Sequence, residues 1–104
     1  MTHRVADPRH GAIVEARAGE PLEIALPENP TTGYLWHVEG APEELGQPTA
    51  AEFERGGEAV GAGGTRVFRF LPRGPANADV TFELRRPRGP DVADRRTVRF
   101  VVEP

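Results

Sequence analysis

Apolar and polar residues alternate with a period of two along most of the chain, the pattern of half-buried β-strands. After a short β-branched stretch at 13–17, residues 21–26 place Leu22, Ile24 and Leu26 on one side, and residues 34–38 do the same with Tyr34, Trp36 and Val38. Residues 51–55 read as an edge strand. Three clearer runs follow at 67–70, 78–84 and 96–102, with Phe68, Phe70, Val80, Phe82, Leu84, Val98, Phe100 and Val102 as the inward set. Trp36 is the predicted centre of the core. A helical turn near 42–45 is the only helical expectation, so about seven short strands predict an all-β sandwich.

Composition fits that picture. The 104 residues include 12 Gly and 11 Pro, concentrated between the strand runs, where they read as turns. The length suits one domain, expected over 12–104 behind a flexible N-terminal segment 1–11. Cys is absent, so packing rather than disulfides must hold the fold. No 18-residue apolar run predicts a membrane span, and residues 1–8 lack the apolar core of a signal peptide, which leaves the compartment open.

The formal charge of −3, with both signs interspersed, provides no basic field for nucleic acid. Every basic residue is Arg, and Lys, Ser and Cys are all missing, which removes three common covalent nucleophiles. His3, His10 and His37 lack metal-ligand spacing. His37 alternates away from Trp36 and is expected to be exposed. Neither catalysis nor a metal or cofactor is expected. Arg, Pro and Glu along the predicted edges favour a monomer.

Three loops hold the remaining information. The first, Asn29, Pro30, Thr31, Thr32, Gly33 and Tyr34, carries its own rigidifying chemistry. Asn can bond the backbone two residues on, Pro fixes φ, the two Thr are stiff at χ1, and Gly permits positive φ. The expected tip is a preorganised wedge, which loses little entropy on docking. In the second loop, Gly61, Ala62, Gly63 and Gly64 end a stretch with five glycines in nine residues, 56–64. No Lys follows and the next element reads as a strand, so this is no phosphate cradle. Its backbone can instead lie flat along a partner's groove. The third loop holds Arg86, Pro87 and Arg88, stiffened by Pro87 and Pro90.

In that order, the three stretches resemble the chagasin family of cysteine peptidase inhibitors, which carries an Asn-Pro-Thr-Thr-Gly-aromatic loop, a Gly-rich loop and an Arg-Pro-aromatic loop. Residues 29–34 match the first motif at every position. The resemblance implies an immunoglobulin-like β-sandwich whose loops enter the cleft of a papain-like cysteine peptidase side by side. Thr31 and Thr32 would sit over the catalytic Cys, Gly61 to Gly64 along the non-primed side, and Arg86 with Pro87 toward the primed side. One position departs from the family, since Arg88 stands where the pattern has an aromatic residue. A buried aromatic anchor contributes about 2 to 4 kcal/mol, so its loss would weaken binding about 30- to 1,000-fold. Arg88 could instead stack on an aromatic wall or pair with an acidic rim. The alternative is a protein-binding module of the same fold without peptidase inhibition.

Overall fold

A computed structural model describes residues 2–41, 45, 48, 50–56 and 63–104. Eight strands are described: β1 (His3–Ala6), β2 (Ile13–Arg17), β3 (Leu22–Glu28), β4 (Leu35–Gly40), β5 (Ala50–Arg55), β6 (Gly64–Phe70), β7 (Ala76–Arg85) and β8 (Val92–Glu103). They form two four-stranded sheets, ordered β1-β3-β6-β5 and β2-β8-β7-β4. The predicted alternation sets which faces meet. Leu22, Ile24, Leu26 and Phe70 from the first sheet are buried against Val80, Phe82, Val98 and Phe100 from the second.

Phe70 lies at the centre of the aromatic packing, edge-on to Phe82 at 6.4 Å and to Phe100 at 5.5 Å between ring centroids. Such geometry adds to the apolar burial that holds a chain without disulfides. Truncating Phe82 to Ala would cost about 3 to 5 kcal/mol, a large share of the about 5 to 15 kcal/mol typical of a domain.

The sequence predicted no element in residues 1–11, yet β1 pairs in parallel with β3, from His3 opposite Leu22 to Ala6 opposite Ala25. Beyond it, Arg96 bonds the Asp7 carboxylate and the Pro8 carbonyl, while the Thr97 N–H donates to His10 Nδ1 at 3.0 Å. This strand escapes a pattern search because only Val5 of its four residues turns partly inward. Its partners are backbone groups and charges. β2 is likewise parallel, to β8, so both edge strands on this side are reached by crossing between the sheets.

One further expectation changes. His37 is only partly exposed, and its Nδ1 is shielded without a hydrogen-bond partner. It sits opposite Glu83, whose carboxylate is buried under Arg95. The turn predicted at 42–45 lies outside the described residues except for Leu45, which is buried in the core.

On the outer face of the first sheet, Glu23 accepts from Arg4 at 3.0 Å and from Arg69 at 2.5 Å, and Arg4 reaches on to Glu54 at 2.9 Å. The guanidiniums of Arg69 and then Arg4 hold the Glu23 carboxyl below its usual range.

Candidate functional site

Strand register brings three connections to one end of the sandwich. The last residue of β3, Glu28, faces the first of β6, Gly64, which in turn faces the last of β5, Arg55. In the other sheet Leu35, Arg85 and Val92 align in the same way. The β3–β4, β5–β6 and β7–β8 loops therefore emerge together, and they are the three singled out from the sequence.

The first loop folds on itself. Pro30–Thr32 make one turn of 3-10 helix, capped by Asn29, whose Oδ1 accepts from the Thr31 N–H at 3.1 Å and from its hydroxyl at 2.7 Å. The Thr32 hydroxyl donates to the Asn29 carbonyl at 2.8 Å and accepts from the Tyr34 N–H at 3.3 Å. Gly33 closes the turn at φ 80°, its N–H donating to the Pro30 carbonyl. No atom lies within 4 Å of where a Cβ would stand, so Gly is required here by conformation rather than by space. Both Thr hydroxyl protons are engaged within the turn.

The base of this loop is fixed as firmly. Glu28 Oε2 accepts from the Trp36 N–H at 2.8 Å, and the Trp36 indole N–H donates to the Pro27 carbonyl at 2.7 Å. The two ends of the loop are thus joined to each other. Trp36 is buried as predicted, with the Arg96 guanidinium 5.2 Å from its ring.

Of the second loop, Gly61 and Ala62 lie outside the described residues, whereas Gly63 and Gly64 are placed. The Gly56 N–H donates to the Gly63 carbonyl at 3.0 Å. At Gly64 the need for Gly is steric, because a Cβ would stand 2.4 Å from the Glu54 carbonyl oxygen and 2.5 Å from the Phe53 ring. A shallow depression of about 410 Å³ separates the first two loops, lined by Pro27, Glu28, Asn29, Gly56, Gly63 and Gly64, among others.

Arg86, Pro87 and Arg88 are exposed, and the third loop turns at Gly89 with φ 96°. The Arg86 guanidinium lies 4.9 Å from the centre of the Tyr34 ring, a cation–π contact that joins the third loop to the first. Arg88 forms no ion pair with the described residues. Sequence reasoning missed Glu28 and Arg66 at the base of the site. The signal was a lone charge directly after the apolar run of β3 and next to Asn29.

Among the described residues no cluster of His, Asp and Glu could hold a metal ion. A two-sheet frame with three loops at one end defines a binding domain that works through its loops. The chain belongs to the chagasin family of cysteine peptidase inhibitors, since the family model described as "Chagasin family peptidase inhibitor I42" matches residues 15–102. It is an inhibitor and not an enzyme. Chagasin of Trypanosoma cruzi is 33% identical over 92 residues, covering 84% of each chain.

Solved structures agree on the fold. The cysteine protease inhibitor EhICP2 of Entamoeba histolytica superposes with a TM-score of 0.81 at 19% identity, over 98% of this chain and 96% of that one. The solution structure of Amebosin gives 0.74 at 25% identity over 99% of each chain. PbICP-C, solved in complex with falcipain-2, gives 0.68 at 16% identity over 98% of each.

Proposed function

We propose that this protein is a reversible, tight-binding inhibitor of papain-like cysteine peptidases that inserts its three loops into the active-site cleft and is not cleaved. The observation that carries this reading is the self-bonded turn Asn29 to Tyr34, held at the centre of the loop end. Thr31 and Thr32 stand over the catalytic Cys of the peptidase, Gly61 to Gly64 line one side of the cleft, and Arg86, Pro87 and Arg88 reach the other.

Three physical arguments support it. A turn already bonded in its docking shape loses little conformational entropy on binding. Hydrolysis requires a peptide bond presented in an attack-ready extended geometry, whereas the Asn29 and Pro30 carbonyls are engaged in a closed turn. With no Cys in the chain, no mixed disulfide with the catalytic Cys can form, consistent with reversible binding.

Titrating papain and a cathepsin-L-like peptidase with the folded protein, against a small fluorogenic substrate, tests the reading. It predicts tight inhibition that is lost on dilution, with the inhibitor intact afterwards. Absence of inhibition at micromolar concentration from folded protein would contradict it and favour the non-inhibitory binding module.

A further inference from the structure

Glu28 is a charged residue whose side chain is 0% exposed, a place where charged residues are rare unless paired. Its carboxylate joins two different loops. Oε2 accepts from the Trp36 N–H, at the far end of the first loop, and at 3.3 Å from Arg66 Nε, while Oε1 accepts from Arg66 Nη2 at 2.7 Å and from Nε at 3.2 Å, two residues past the start of β6. Arg66 continues the tie to β5. Its Nη1 reaches the Ala51 carbonyl on β5 at 3.5 Å, and its guanidinium lies 5.3 Å from the Phe53 ring, the ring that packs on Gly64.

We infer that Glu28 is a positioning residue of the inhibitory surface, setting the spacing between the first loop and the two strands that carry the second. This inference rests on the inhibitor reading above and extends it to a residue that need not touch the peptidase. Burying an ion pair costs desolvation, and apolar replacements are often as stable or more so. A forked Arg–carboxylate contact does fix a distance and an orientation, which apolar packing specifies less tightly. The depression between the loops is bounded by Glu28 itself, so a shift of this pair changes the shape a partner meets.

Glu28→Gln separates positioning from folding. The Gln oxygen can still accept from the Trp36 N–H and from Arg66 Nε, but its amide turns donors toward Arg66 Nη2 and loses the short contact of the tie. The expected result is a lower melting temperature with the protein still folded at the assay temperature, and an inhibition constant raised about tenfold or more, largely through faster dissociation. Arg66→Lys, which keeps the charge without the fork, should fall between parent and Glu28→Gln. In the free protein, amide exchange should quicken at Gly33, Gly64 and Thr65 in Glu28→Gln.

Unchanged inhibition together with unchanged exchange would overturn the inference. So would a fall in melting temperature that accounts for the whole loss of inhibition. If the parent inhibits no peptidase, the inhibitor reading fails by itself, and amide exchange in the free protein still decides whether Glu28 couples the loops.

Discussion

The first and third loops lie side by side and are held in opposite ways. Asn29 to Tyr34 is closed by its own side chains, with the Asn29 carboxamide and both Thr hydroxyls bonded within six residues, and its base is pinned by Glu28 and Trp36. The third loop has two prolines and a left-handed Gly89, and its side-chain contact with the rest of the site is Arg86 lying on Tyr34. One loop carries its shape in its own residues; the other takes its placement from a neighbour. Preorganisation is therefore concentrated in the loop proposed to cover the catalytic Cys, and substitutions should act very differently in the two.

The sharpest break in this contrast is Asn29→Ala, which removes the cap and both of its bonds to Thr31. A cap contributes about 0.5 to 2 kcal/mol, so inhibition should weaken up to about 30-fold, with a drop of only a few degrees in melting temperature. Paired inhibition and thermal-melt measurements check this. An unchanged inhibition constant would show that the turn holds without its cap.

Thr32 offers a finer test, because its hydroxyl both donates and accepts inside the turn. Thr32→Val keeps the shape and loses the clasp, and it should weaken inhibition about 5-fold, in line with a net hydrogen bond of about 1 kcal/mol. Thr32→Ser keeps the clasp and should cost about 2-fold or less. The reverse order would mean that the methyl group, rather than the clasp, matters.

The brace between the loops predicts a smaller effect. In a double-mutant cycle, Arg86→Gln and Tyr34→Leu should show coupling of about 0.5 to 1 kcal/mol in binding, or about 2- to 5-fold. Additive effects would separate the two loops energetically.

Smallest of all is the expected effect of the ion-pair face on inhibition. Glu23→Gln should leave inhibition at neutral pH unchanged while lowering stability there and flattening its dependence on pH. The Glu23 pKa is depressed in the fold, so its contribution is present above the ordinary value of 4.5 and is lost as pH falls through the lower folded-state value. The variant should accordingly lose less stability than the parent on acidification below that range, as followed by Trp36 fluorescence.

The same difference between local and borrowed shape explains what could be read from the sequence. Leu22, Ile24 and Leu26, and Val98, Phe100 and Val102, announce their faces through a two-residue period, and all six are buried. Asn29 to Tyr34 was legible because each residue type acts on its own backbone. β1 was not, since its pairing is to a backbone 19 residues away and only Val5 turns partly inward. β8 begins at Val92, four residues before its alternation, because backbone pairing with β7 extends past the core. Glu28 reads as the polar end of an apolar run until Arg66, distant in sequence, is placed against it.

The central claim, that one end of the sandwich is the inhibitory surface, is tested most directly by amide NMR. The isotope-labelled protein would be titrated with a papain-like peptidase whose catalytic Cys is blocked by a small group that leaves the cleft open. The predicted result is perturbation confined to Thr31 through Tyr34, Gly61 through Gly64, and Arg86 through Gly89, with His3, Glu15 and Glu103 at the other end unmoved. Perturbation centred on that opposite end, with the loops silent, would contradict the account.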